Sequence, residues 1–124
     1  MDKKIKVLVA DDSEIWIKML TSFISSDEEL ELVGEVASSV GCIIMAEEAS
    51  PDVVIIGYDR KSTMEAKEIV RQLHAILPNV KVILCADQMD KESVETTIGR
   101  GIDEFVIKPY NGQKIIRLIK RCMR

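Results

Sequence analysis

Two adjacent carboxylates, Asp11 and Asp12, close a short apolar run, Ile5-Lys6-Val7-Leu8-Val9-Ala10. A lysine, Lys108, closes another such run, Phe105-Val106-Ile107, near the far end of the chain. Like charges side by side repel, so the acidic pair makes sense with a cation, a lysine or open solvent to balance it. Carboxylate oxygens suit Mg²⁺, which takes one or two of them together with waters and a phosphoryl oxygen. A lysine ammonium would balance the acids or hold a phosphoryl group as a point charge. The same residues also permit a reading without chemistry, a solvated acidic turn in which Asp12 or Ser13 caps a helix, or a plain ion pair between Lys108 and one of the acids.

Positioning such residues requires strands that end together. The run before Asp11 shows no period-2 alternation, as expected of a strand buried on both faces in a parallel sheet. Ser13 to Ser26 then carries Ile15, Trp16, Met19, Leu20, Phe23 and Ile24 at helical spacing. Leu30 to Val36 reads as a second strand, and Ser38 or Ser39 caps a helix over Val40 to Ala49 with Cys42, Ile43, Ile44 and Ala46 inward. Pro51 stops that helix. Val53-Val54-Ile55-Ile56 is a central strand leading to a loop from Gly57 to Ser62, and Ala66, Ile69, Val70, Leu73, Ile76 and Leu77 form a helical stripe. A strand over Val80 to Cys85, a helix starting at Asp90 or Ser93, a strand over Phe105 to Ile107 and a final helix capped by Asn111 complete the series. Strand and helix alternate with short connections, which predicts one parallel sheet covered by helices on both sides. In such a sheet, ligands sit beyond the carboxyl ends of the strands. One rim then gathers Asp11, Asp12, the Gly57–Asp59 loop, Cys85-Ala86-Asp87 and Lys108.

The 124 residues suit a single domain, 1–124, with no linker or repeat. Aromatics are only 4%, so the core must come from Ile, Val, Leu, Met and Ala. A net charge of −4 argues against direct nucleic-acid binding, which needs a basic face. No apolar run reaches membrane-spanning length, and the N-terminus lacks a signal-peptide core. Cys42, Cys85 and Cys122 are odd in number and widely spaced among apolar neighbours, which suits structural cysteines of a reducing cytoplasm rather than a disulfide frame. His74 has no second ligand near it in sequence and reads as a surface residue.

Over essentially its whole length the chain resembles the receiver domain of two-component response regulators. The resemblance rests on Val7-Leu8-Val9-Ala10-Asp11-Asp12-Ser13, Pro51-Asp52-Val53-Val54-Ile55-Ile56, Val82-Ile83-Leu84 and Asp103-Glu104-Phe105-Val106-Ile107-Lys108-Pro109. It implies a flavodoxin-like, CheY-like (βα)5 three-layer sandwich with parallel strand order 2-1-3-4-5. It also implies that Asp11 and Asp12 match the family's Mg²⁺-binding acids, that Lys108 matches the lysine contacting the phosphoryl group, and that Phe105 matches the aromatic that turns inward on activation.

The departures from the family are as informative. Six residues after Pro51, where the family has the aspartate that accepts the phosphoryl group from a histidine kinase, stands Gly57. Glycine cannot be a nucleophile. At the end of the fourth strand, where the family has a Ser or Thr whose hydroxyl bonds the phosphoryl oxygen, stands Cys85, a weak donor. Asp59 lies two residues past the acceptor position, where the family's main-chain carbonyl is a Mg²⁺ ligand; covalent transfer demands near-attack geometry that a displaced loop rarely supplies. The expectation is therefore an atypical receiver in phosphorelay signal transduction. It would not be an enzyme, would take no cofactor beyond weakly held Mg²⁺, and would act by binding an output domain, a histidine kinase or another signalling protein. By resemblance, the partner surface is the face of the fourth helix, fifth strand and fifth helix. That region includes Ile102, Val106, Tyr110, Lys114, Arg117, Lys120, Arg121 and Arg124, and a homodimer could use the same face. A relocated acceptor at Asp59 is the alternative.

Overall fold

Strands arise where aliphatic and β-branched runs let successive side chains point to opposite faces, each face finding a helix. A computed structural model describes residues 3–58, 66–87, 101–108 and 111–124. Its elements are β1 (Ile5–Ala10), α1 (Glu14–Ser26), β2 (Leu30–Val36), α2 (Ser39–Ala49), β3 (Val53–Tyr58), α3 (Ala66–Ile76), β4 (Lys81–Asp87), β5 (Glu104–Lys108) and α4 (Gly112–Cys122). All strands are parallel in the order β2-β1-β3-β4-β5. This is the order that the family resemblance implies. The helix expected from Asp90 or Ser93, the loop residue Asp59, and Pro109 and Tyr110 lie outside the described residues.

The central strands alternate between two apolar layers. Val7, Val9, Ile55, Ile83 and Val106 face α1 and α4, meeting Leu20, Ile24, Ile115 and Ile119. Leu8, Val54, Ile56, Val82 and Leu84 face α2 and α3, meeting Cys42, Ala46, Val70 and Leu73. Each such side chain contributes roughly 1.5–3 kcal/mol by leaving water, which is what holds the helices on the sheet.

Local signals set the ends of the elements. Ser13, Ser38 and Asn111 cap α1, α2 and α4 with their side-chain oxygens. Ser50 ends α2 in the left-handed region at φ 48°, directly before Pro51. The β1–β2 register slips once: Val7 pairs with Leu32 but Leu8 with Gly34, so Val33 is an extra residue bulging from the edge strand. A Cβ on Gly34 would stand 2.8 Å from Met45 Cγ, so glycine is what lets the bulge lie under α2.

Four expectations need correcting. Ile15 and Ile44 point outward, 80% and 54% exposed, because the apolar stripe of each helix is narrower than its run of apolar residues. Gly57 and Tyr58 continue β3 instead of opening a loop, and β4 runs on to Asp87. His74 is not a surface residue. It is half-buried, with Nδ1 3.1 Å from the Val70 carbonyl and Nε2 3.0 Å from the Val80 carbonyl, so its ring bridges α3 to the start of β4. Finally, Ile102 and Val106 are core residues and not a partner surface.

Candidate functional site

Strand periodicity decides which side chains meet at the carboxyl rim. Stepping by two from Val9, Ile55, Ile83 and Val106 reaches Asp11, Gly57, Cys85 and Lys108. The four therefore share the face covered by α1 and α4. The β3–β4 register sets Gly57 beside Cys85, and the β4–β5 register sets Cys85 beside Val106. Cys85 is fully buried.

Asp11 is the one buried charged residue among those described. Its backbone N–H donates to the Val36 carbonyl at 3.0 Å, anchoring the end of β1 to the end of β2. Its Oδ1 accepts from the Ser13 N–H at 2.9 Å, an Asx turn that leads into α1. Its Oδ2 accepts from Lys108 Nζ at 2.7 Å. The side chains are 3% exposed for Asp11 and 11% for Lys108, so this ion pair is sheltered from water. Lys108 Nζ also lies 5.3 Å from the centre of the Trp16 ring, on the first turn of α1, within range of a cation–π attraction. Nothing in the sequence pointed to Trp16. Its position follows from the helix that begins two residues after Asp12.

Gly57 gives this geometry its meaning. A Cβ built on it would fall on Asp11 Oδ2 and Cγ, with Oδ1 at 2.9 Å. The Asp11 carboxylate thus occupies the space into which any side chain at position 57 would project. Asp12 is exposed. A cavity of about 160 Å³ opens at the rim between Asp11, Asp12, Gly57 and the start of α2, with Ser38, Ser39 and Cys42 on its wall. Burial pushes the Cys42 thiol up to about 12, so it is a neutral, unreactive group. Phe105 is half-buried and packs against the α2–α3 layer of the core.

The fold and this rim define a class. The sequence profile of the response regulator receiver domain matches residues 7–120, and the chain belongs to that family. Among its relatives, the response regulator protein VraR of Staphylococcus aureus is 28% identical over 120 residues. That match covers 97% of this chain and 57% of VraR, so the chain spans little more than half the length of this relative. Among solved structures, the signal receiver domain of the putative response regulator NarL from Mycobacterium tuberculosis superposes with a TM-score of 0.86 at 20% identity, covering 98% of this chain and 97% of that one. The response regulator domain of Thermotoga maritima CheB gives 0.80 at 20% identity, with 98% and 97% covered. At such identities these neighbours speak to the fold. They establish the α/β sandwich with CheY-like strand order; the family match makes the chain a receiver domain of two-component systems. No helix among the described residues is long and apolar enough to cross a membrane.

Receivers commonly use Mg²⁺, and the residues present fit it poorly. Both Asp11 oxygens are engaged by protein donors. Position 57 offers no oxygen on its side chain. Among the described residues no group of three or more His, Cys, Asp or Glu side chains gathers where a metal ion could be held.

Proposed function

We propose that the chain is an atypical receiver that signals without phosphorylation at the usual acceptor position, acting as a protein-interaction module in the cytoplasm. The observation that carries this reading is Gly57, which stands in phase with Asp11, Cys85 and Lys108 where the reacting carboxylate would be. Phosphoryl transfer needs a nucleophile at that place, and an aspartyl phosphate needs a hydroxyl beside it; glycine and Cys85 supply neither.

The partner is a protein: a histidine kinase, an output domain, another signalling protein or a second copy of the chain. The exposed side chains Lys114 and Arg117 on the outer face of α4, with Arg124 just beyond it, favour an acidic partner surface. Lys120 and Arg121 do not add to this set as freely. Lys120 is held by Asp27 and Glu29, and Arg121 by Glu104.

The test is incubation with Mg²⁺ and acetyl phosphate followed by intact-mass measurement, with Asp59→Asn alongside. The expected result is an unchanged mass in both proteins. A phosphoryl adduct that disappears in Asp59→Asn would make Asp59 a relocated acceptor and overturn the reading.

A further inference from the structure

We infer that the Lys108 ammonium is the resident cation of this rim, held by Asp11 in place of a divalent metal ion, and that Gly57 is the residue whose lack of a side chain makes the arrangement fit. The inference deepens the reading above, because it explains what replaces the missing acceptor.

Three observations combine. The space that a side chain at position 57 would enter is filled by the Asp11 carboxylate. That carboxylate has one oxygen fixed by the Ser13 N–H and the other by Lys108 Nζ. The pair is almost wholly sheltered, at 3% and 11% exposure. The colliding atoms are the end of a short side chain, so they could swing aside. Doing so would break both hydrogen bonds and leave an ammonium in a sheltered place without its counter-charge, which is strongly unfavourable.

A divalent ion meets the same obstacle from the other direction. To ligate Asp11 it must displace Lys108 from Oδ2, and it then faces that ammonium as a like charge. Among the described residues, Asp12 alone would remain as an uncommitted carboxylate, too few for a hard cation that is reluctant to shed its water. Within the rim, Asp11 and Lys108 neutralise each other. On this view Gly57 is not merely a lost aspartate. It is the steric condition for Asp11 to take over as the partner of Lys108.

The decisive variant is Gly57→Ala. In the middle of a strand, glycine to alanine ordinarily stabilises slightly, because the chain loses less freedom on folding. Here the expected sign is reversed. Gly57→Ala should lower the melting temperature by several degrees and change the emission of Trp16, the only tryptophan, as Lys108 leaves Asp11. Made in an Asp11→Ala background, the same substitution should lose its penalty, since the colliding carboxylate is gone. A Gly57→Ala protein as stable as the parent with unaltered emission would overturn the inference, as would an equal penalty in both backgrounds.

The unmodified protein provides an arm that does not depend on any variant folding. Millimolar Mg²⁺ should leave its melting temperature and Trp16 emission unchanged; a saturable shift in either would sink the claim that Lys108 replaces the metal. The two readings fail separately. A phosphoryl adduct on Asp59 speaks against the proposed function, whereas Mg²⁺ binding without an adduct speaks against this inference alone.

Discussion

Lys108 and Lys120 each hold carboxylates from a distant part of the chain, one at the carboxyl rim of the sheet and the other at its opposite end. Among the described residues Lys108 meets a single acid, Asp11, in a place that water hardly reaches. Lys120, in the last turn of α4, bridges Asp27 at 3.0 Å and Glu29 at 2.5 Å, with a quarter of its own side chain and 69% of Glu29 exposed. Both clasps join the C-terminal part of the chain to the region around α1. In water the attraction between charges is weak and screened, and the cost of removing one partner is small. Away from water, the unpaired survivor carries the cost of its own desolvation. The difference teaches where charge determines the structure: the sheltered pair fixes the rim, and the exposed clasp only trims the stability of a helix already held by Ile115, Leu118 and Ile119.

The comparison can be broken most forcefully at Asp11. Asp11→Ala should cost about 3–5 kcal/mol in urea unfolding, because Lys108 is left sheltered without a partner. Adding Lys108→Met to it should recover most of that loss, since replacing both members of a buried pair by apolar groups is often neutral or stabilising. A double variant as unstable as the single one would show that the pair is not the source of the effect.

Lys120→Ala should cost less than about 1 kcal/mol, and the cost should shrink as salt is added. Its pH dependence has a definite sign. Glu29 first, and then Asp27, hold the Lys120 ammonium above its usual value. That contribution is complete below the unfolded lysine value and is lost as pH rises through the folded one. Asp27 behaves oppositely. Burial pushes its carboxyl up, but the Glu29 N–H and Lys120 together bring it below its usual value. Its contribution is complete above the unfolded value and fades as pH falls through the folded one. The gap between parent and Lys120→Ala should therefore be widest near neutral pH and close in strong acid and strong base, as followed by thermal melts across the range.

At the small end stands Glu68→Gln. Hydrogen bonds from Arg71 first, and then Gln72, hold Glu68 down to about 2. Yet Glu68 and Arg71 are open to solvent on one turn of α3, 41% and 67% exposed. The unfolding midpoint should not move measurably. A clear loss there would blur the distinction between sheltered and open pairs.

The sequence makes the architecture legible because buried parallel strands and amphipathic helices leave different periods. The strand order, the caps at Ser13 and Asn111, and the rim residues all follow from those periods and from the family likeness. Three things do not. Periodicity locates an apolar face but not its width, which is why Ile15 and Ile44 look inward on paper. The contact of Lys108 with Asp11 spans most of the chain, so spacing offers Asp11 and Asp12 equally as its partner; only the in-phase alternation of four strands selects Asp11. The fit of Gly57 depends on volume, and a missing side chain leaves no sign in sequence of what has moved into its place. The burial of His74 is hidden for a related reason: its ring nitrogens face main-chain carbonyls, one of them just before the next strand, and carbonyls carry no residue identity.

The bulge at Val33 has a consequence for how the molecule behaves in company. β2 stands at one edge of the sheet, where unpaired backbone groups can recruit another strand and start aggregation. The extra residue interrupts the regular ladder and turns the strand, and Glu31 and Glu35 sit exposed on either side of it. A second sheet approaching that edge would find neither a flat template nor a neutral one. The same irregularity that seats Gly34 beneath α2 thus guards the open flank of the fold, leaving association to the faces of its helices.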